Sequence, residues 1–281
     1  MKNFKTVAAL RAFRQEITSK GETLALVPTM GALHKGHLSL VELAKTKADH
    51  VVVSIFVNPT QFGPNEDFDS YPRMVEEDSL KLKPLNIAGV FAPSVSEMYP
   101  NGYASTVSVS GLTDCLCGAA RPGHFDGVAT VVSKLLLQSR ADYAVFGEKD
   151  WQQLQVIRRV NADLNIDCDI IGAPIYRDEK SGLALSSRNA YLSTKELASA
   201  ETLNVTLRSF AKDIRDGADI DIATADATQK IINAGFNNID YLECRESESL
   251  KRVDQFDPKH PCRVFVAAKI GSARLIDNMA V

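Results

Sequence analysis

The chain has 281 residues, 45% of them hydrophobic and 24% charged, with a net charge of −3, an ordinary balance for a globular protein. Acids and bases are interspersed, so no basic face for nucleic acid is evident, and no apolar run approaches the length needed to span a membrane. The length suits one large domain or two; the five cysteines are an odd number, and Met1-Lys2-Asn3 leads into no secretion-signal core, so reduced thiols and a cytoplasmic location are expected.

Along the chain, Val7, Leu10, Phe13 and Ile17 recur at helical spacing, and Gly21 can close that helix. A strand is expected over 23–27, then a polar turn, then a helix to about Asp49 with Leu40, Leu43, Ala44 and Ala48 on one side. Val51 to Val57 is continuously apolar and β-branched, as in a parallel strand covered on both faces. After the break at Asn58-Pro59-Thr60-Gln61, a helix is expected over 73–82 and short strands over 89–91 and 106–109. Val128, Val131, Val132, Leu135 and Leu136 mark a helix with one buried face; Tyr143 to Phe146 and Cys168 to Ile171 read as strands on either side of another helix. Alternating strands and helices to about residue 175 argue for a Rossmann-like, doubly wound parallel sheet in an α/β domain over 1–175. Beyond it, Ser193 and Glu196 form a capping box for a long helix, a second helix lies near 223–234, and strands follow at 239–242 and 264–268. That order describes a smaller C-terminal α+β domain over 176–281.

Ligands of open parallel sheets bind at the carboxyl ends of the strands, and the polar motifs of this chain fall at those ends. The first strand runs into Pro28-Thr29-Met30-Gly31-Ala32-Leu33-His34-Lys35-Gly36-His37, a glycine-bearing turn at a helix N-terminus, where unpaired N–H groups and the dipole favour a phosphate. His34 and His37, three residues apart, point the same way and can donate to one phosphate chain; the same stretch also reads as an ordinary βα turn with exposed histidines. Other strands end at Asn58 and Gln61, at Gly147-Glu148-Lys149-Asp150, and ahead of Leu185-Ser186-Ser187-Arg188-Asn189. Lys149 can serve phosphate as a point charge, and two serines beside Arg188 make a phosphate clamp. Bland readings stand beside these. Asp150 and Gln153 fit a helix cap, Arg121-Pro122-Gly123-His124-Phe125 reads as turn chemistry, and Glu76-Glu77-Asp78 reads as a solvated helix side with at most a weak link to Mg²⁺. Cys115-Leu116-Cys117 lacks the second pair that a zinc site needs.

His34-Lys35-Gly36-His37 resembles the HIGH-type signature of adenylate-forming nucleotidyltransferases, and Leu185 to Asn189 stands where that superfamily carries its second phosphate loop. With Ser54-Ile55-Phe56-Val57-Asn58-Pro59, Arg121 to Phe125, Phe146 to Asp150 and a final Ala273 to Asn278, the chain resembles the pantoate–β-alanine ligase family over nearly its whole length. The resemblance implies ATP-dependent condensation of (R)-pantoate with β-alanine through a pantoyl-adenylate, with release of AMP and pyrophosphate. It implies Mg²⁺ on the phosphates and a homodimer. His34, His37, Lys149, Ser187 and Arg188 become the catalytic candidates. ATP is expected on Met30, Gly31, Ala32, Leu33, His34, Lys35, Gly36, His37, Gly147, Glu148, Lys149, Asp150, Tyr176, Leu185, Ser186, Ser187 and Arg188. Met30, Asn58, Gln61 and Gln153 are expected to hold pantoate, Gln61 serving β-alanine as well; no protein ligand for the metal is identified. The competing readings are a nucleotidyltransferase for a phosphorylated acceptor, which would want an extra cation near Asn58 and Gln61, and a nucleotide-sensing module without catalysis. A tRNA-charging enzyme is disfavoured by length and charge.

Overall fold

Leu24, Ala25, Leu26 and Val27 are 0% exposed. A run that is apolar at every position, rather than at alternate ones, suits a parallel strand hidden on both faces. In the computed structural model, which describes residues 1–64 and 66–281, this run lies within a six-stranded sheet. The elements in chain order are β1 (Lys2–Phe4), α1 (Val7–Thr18), β2 (Leu24–Thr29), α2 (Lys35–Lys45), β3 (His50–Ile55), α3 (Val75–Leu82), β4 (Gly89–Phe91) and α4 (Val95–Met98). They continue with α5 (Leu116–Ala120), α6 (His124–Ser139), β5 (Tyr143–Gly147), α7 (Trp151–Asp163), β6 (Asp169–Ala173), α8 (Thr194–Ala200), α9 (Thr202–Arg215), α10 (Ile220–Asn233), β7 (Asn238–Glu246), β8 (Cys262–Ile270) and β9 (Ala273–Ala280).

Two units divide the chain. The first comprises Met1–Gly111, Arg121–Glu148 and Gln153–Pro174; the second comprises Leu112–Ala120, Lys149–Gln152 and Ile175–Val281. The short segments Leu112–Ala120 and Lys149–Gln152 pack with the second unit.

The first unit holds the sheet β1-β4-β3-β2-β5-β6, with every pair parallel. From β2 the chain steps outward through β3 and β4, then returns to the other side of β2 through β5 and β6. The order reverses between β2 and β5, and a doubly wound sheet offers its binding crevice at the carboxyl ends of the strands at such a point. Leu40, Val41 and Ala44 of α2 join Val27, Val53 and Ile55 in the core, which fixes the helix against the sheet. Helix α6 buries the expected valines and leucines, and Ala129, Thr130 and Ser133 besides, so it is covered on more than one side. The expected strand at 106–109 is absent: the N–H of Val107 donates to Thr130 Oγ1 at 2.9 Å and not to a neighbouring strand.

In the second unit, β7, β8 and β9 form an antiparallel sheet. One face carries Val264, Val266 and Ala268 against Leu203, Leu207 and Phe210 of α9. The other carries Phe265, which packs with Leu116, Leu250, Trp151 and Tyr241. The capping box is present, with Ser193 N donating to Glu196 Oε2 at 2.8 Å and Glu196 N to Ser193 Oγ at 3.3 Å, but the long helix expected after it is divided at Glu201 into α8 and α9. Strands β1 and β9 had no counterpart in the pattern of the sequence. β1 has only three residues, and β9 buries Asp277 and Asn278 where an apolar alternation would be sought. The α/β class, doubly wound parallel sheet and smaller α+β portion stand as expected. Among the described residues no helix is long and apolar enough to cross a membrane.

Candidate active site

The turn after β2 is fixed from below. Thr29 Oγ1 donates to Ser54 O at 2.8 Å and accepts from Gly31 N at 3.2 Å. Gly31 has φ +87°, and a Cβ there would lie 3.1 Å from Asp78 Oδ2 and 3.2 Å from Ile55 Cγ2, so both the backbone conformation and the lack of space require glycine. Leu33 N donates to Asp78 Oδ1 at 2.8 Å, and Lys81 Nζ bridges Leu33 O at 2.9 Å and Asp78 Oδ1 at 3.4 Å. The acidic run of α3 thus divides. Glu76 and Glu77 are exposed, as a solvated helix side should be, whereas Asp78 is fully buried and ties down the turn. The spacing carried the signal, since Val75, Asp78 and Leu82 lie at i, i+3 and i+7, so the carboxylate sits on the apolar stripe.

This turn delivers His34 as the residue preceding α2 and His37 into its first turn. The two rings lie 4.1 Å apart between centroids, inclined by 39°. His37 N donates to His34 O at 2.8 Å, and His34 N donates to His37 Nδ1 at 3.3 Å. Because Nδ1 of His37 accepts, the neutral ring carries its proton on Nε2 and has an N–H donor there. Ala32, at φ +50°, completes the turn, Gly36 lies in the first turn of α2, and Lys35 is exposed.

Met30, Asn58 and Gln61 come together in the same unit. Gln61 Nε2 donates to Met30 Sδ at 3.1 Å, and Asn58 Nδ2 donates to Gln61 Oε1 at 3.2 Å and to Gly127 O at 3.1 Å. Asn58 Oδ1 accepts from Tyr99 Oη at 2.7 Å and from Thr60 Oγ1 at 3.0 Å. Burial pushes the Tyr99 phenol above its ordinary pKa and keeps it a donor. Thr60, which had no part in the expected chemistry, therefore helps to orient Asn58. Gln153 is half-buried in the first turn of α7.

The segment Arg121 to His124, read from the sequence as a turn, clamps the main chain of Gln61. Arg121 Nη2 and His124 Nδ1 reach Gln61 O at 3.3 and 2.8 Å, and Arg121 Nη1 meets His124 Nε2 at 2.9 Å. A guanidinium can only donate and a carbonyl can only accept, so His124 is neutral with its proton on Nδ1. Arg121 also forms a two-pronged pair with Glu66, at 2.6 and 2.5 Å. Burial raises the Glu66 carboxyl, but the hydrogen bonds and charge of Arg121 outweigh it and hold the pKa at about 2. A methyl on Gly127 of α6 would overlap Thr60 O and Gln61 N, so this glycine lets the helix press directly on the turn bearing Gln61. In the sequence Gly127 lies inside a helical pattern, where an isolated glycine is its only signal.

In the second unit, Lys149 and Ser186 line one small cleft with Asn189 and Asp277, which brings together the two strand-end motifs that the sequence holds apart. Lys149 Nζ is 3.9 Å from Asp150 Oδ1. Ser187 and Arg188 sit on a 3₁₀ turn, Ser187–Tyr191, in which Ser186 Oγ accepts from Arg188 N at 3.3 Å. Leu185 N donates to Tyr176 O at 3.1 Å. Gly147 and Glu148 close β5 in the first unit, and Asp150 ends a 3₁₀ turn ahead of α7. Among the described residues no cluster of three or more His, Cys, Asp or Glu could hold a metal ion. All five cysteines are free thiols, and Cys117 Sγ is buried 3.1 Å from Tyr241 Oη.

The pattern of the family described as "Pantoate-beta-alanine ligase" matches residues 2–280. The chain belongs to the pantoate–β-alanine ligase family. It is 53% identical to the pantothenate synthetase of Novosphingobium aromaticivorans over 99% of each chain, and 52% identical to that of Sphingopyxis alaskensis over 100% of each. A crystal structure of pantothenate synthetase from Thermus thermophilus superposes with a TM-score of 0.91 at 43% identity, covering 99% of each chain. The Francisella tularensis pantoate–β-alanine ligase, described as complexed with "Beta-gamma ATP and Beta-alanine", gives a TM-score of 0.84 at 35% identity, covering 100% of this chain and 97% of that one.

Two outcomes follow from the Gln61 clamp. Gly127→Ala should displace the Pro59–Gln61 turn and lower kcat/KM for pantoate on the order of 10²-fold, with nucleotide binding retained, as read by steady-state kinetics and nucleotide titration. The folded pKa of Glu66 lies below its ordinary 4.5, so its contribution, on the order of 1 kcal/mol for a part-exposed pair screened by solvent, is complete above pH 4.5 and lost as pH falls toward 2. Denaturation of Glu66→Gln against the parent chain should therefore show a stability gap that is constant near neutrality and closes through that acid window.

Proposed function

We propose that this chain joins (R)-pantoate to β-alanine at the expense of ATP, by way of a pantoyl-adenylate. The observation that carries this reading is the acceptor end of the first unit. There Gln61 presents an amide, and the nearby cation, Arg121, is already matched by Glu66. A site for a phosphorylated acceptor would want an unmatched cation in that place. The family, and the ATP and β-alanine named for the Francisella tularensis relative, support the two remaining substrates.

In the first step a pantoate carboxylate oxygen attacks the α-phosphorus, the bond to the bridging oxygen breaks, and pyrophosphate leaves with the electron pair. No covalent protein nucleophile is needed, only alignment and neutralisation of the charge that develops on the leaving group. The N–H donor on Nε2 of His37 suits a hydrogen bond to the pyrophosphate, and His34, Lys149, Ser187 and Arg188 share that role. The remaining ATP contacts are assigned to Met30 through Gly36, Gly147, Glu148, Asp150, Tyr176, Leu185 and Ser186. Pantoate is assigned to Met30, through its backbone, Asn58, Gln61 and Gln153; the Asn58 amide also orients that of Gln61. In the second step the β-alanine amine attacks the acyl carbon beside Gln61, AMP departs with the electron pair, and the nitrogen loses a proton.

Magnesium would enter this site as a companion of the nucleotide, and no protein ligand is assigned to it. It would add positive charge against the phosphates. A homodimer and a cytoplasmic location, where five free thiols would persist, complete the proposal.

Pyrophosphate exchange provides the test. Labelled pyrophosphate should enter ATP with pantoate alone, and amide product should appear only once β-alanine is added. ATP binding without exchange would leave a nucleotide-sensing module; exchange driven by a phosphorylated acceptor and not by pantoate would favour the other nucleotidyltransferase. His37→Ala should lower exchange roughly 10²–10³-fold with the fold intact by circular dichroism.

A further inference from the structure

Lys149, half-buried in the second unit, begins a four-residue segment that is fastened to its surroundings at nearly every residue. The Lys149 carbonyl accepts from Asn278 Nδ2 at 3.0 Å. Trp151 donates from Nε1 to Ser247 O at 2.6 Å, and the Arg263 guanidinium lies 3.8 Å from the centre of a Trp151 ring. The side chain of Gln152 accepts from Cys117 N at 2.9 Å and donates to Cys115 O at 2.8 Å and Leu112 O at 2.9 Å. Only one of these contacts acts directly on the lysine.

Asn278 is itself held in place. It pairs across β8 and β9 with Phe265, so its side chain shares the sheet face on which Trp151 packs, and it is 2% exposed. Its Oδ1 accepts from Arg263 Nε at 2.8 Å, which leaves Nδ2 to face the Lys149 carbonyl and settles the orientation of the amide. Its carbonyl accepts from Arg177 Nη2 at 3.2 Å, and Arg177 grips the neighbouring Asp277 with two bonds, at 2.7 and 2.8 Å. An acceptor on one side and a donor on the other is a demand that an amide meets and a carboxylate or an apolar side chain does not.

We infer that Asn278 is a positioning residue for Lys149. By holding the Lys149 carbonyl it fixes the plane of the 149–150 peptide, and hence the direction in which the long, flexible lysine side chain leaves the backbone. A point charge on four methylenes helps a transition state only where its root is fixed. The inference rests on the assignment of Lys149 to the phosphates made above.

The test uses Asn278→Asp and Asn278→Ala in the full-length chain, each with and without Lys149→Ala. Asn278→Asp keeps the size of the side chain and its acceptor for Arg263, but turns a lone pair toward the Lys149 carbonyl; Asn278→Ala removes both contacts. The expected result is a fall of about 10–10²-fold in kcat for pantoate-dependent pyrophosphate exchange, with KM for pantoate within about twofold. Amide formation from supplied pantoyl-adenylate should stay within about threefold, because no pyrophosphate leaves in that step. In the Lys149→Ala background the further loss should shrink below about twofold, since residues that act through one another are not additive. Unchanged exchange in both variants, alongside a large loss for Lys149→Ala alone, overturns the positioning role and leaves the lysine's role standing. A loss that persists in full in the Lys149→Ala background also overturns it. If Lys149→Ala alone leaves exchange intact, the assignment of the lysine falls, and the positioning role with it.

Discussion

A carboxylate with no solvent exposure holds the turn that carries His34 and His37. Asp78 takes the N–H of Leu33 on one oxygen, while the other lies where a Cβ on Gly31 would crowd it. These two features determine one another. A side chain at position 31 would push the carboxylate away, and without the carboxylate the Leu33 amide would be buried without a partner, at a cost of about 1–3 kcal/mol. With the turn pinned, α2 begins at Lys35, and the tilted rings of His34 and His37 meet at its first turn with the proton of a neutral His37 directed to Nε2. The sheet order places this turn at the end of β2, beside the reversal that doubly wound folds use for ligands.

The acceptor side is built on the same logic, by holding main chain rather than by adding charge. Gln61 is reached from α6, where Gly127 permits contact, from Asn58, and from Arg121 and His124, which converge on its carbonyl. Arg121 brings a positive charge to the neighbourhood and Glu66 neutralises it, so the proposed reading of pantoate falls to an amide. That suits a small hydroxy acid that must keep its carboxylate reactive. A tight ion pair with the substrate carboxylate would lower its nucleophilicity toward the α-phosphorus.

Much of the fold was legible because its signals were local. The continuous apolar runs of β2 and β3, the stripe of valines and leucines on α6 and the capping box at Ser193 each announce an element without help from distant residues. The strand expected at 106–109 failed because the alternation there is too short to outweigh a single side-chain partner, Thr130. The candidate site divides in the same way. The spacing of His34 and His37, and the amides at Asn58 and Gln61, drew notice because polar residues at strand ends are conspicuous. Asp78 was hidden inside an acidic run that resembles a solvated surface, although its place on the stripe with Val75 and Leu82 distinguished it. Gly127 and Asn278 were illegible for another reason: each meets backbone groups far away in sequence, Thr60 O and Gln61 N in one case and Lys149 O in the other. No local pattern encodes such a contact.

In the proposed reaction the pantoate carboxylate attacks the α-phosphorus of ATP. Oxygen-isotope transfer reads that event directly. With pantoate labelled by ¹⁸O in its carboxylate, turnover with ATP and β-alanine should place one labelled oxygen in the phosphate of AMP and leave pyrophosphate unlabelled. Label in pyrophosphate or orthophosphate, or AMP free of label while the amide accumulates, would contradict the account.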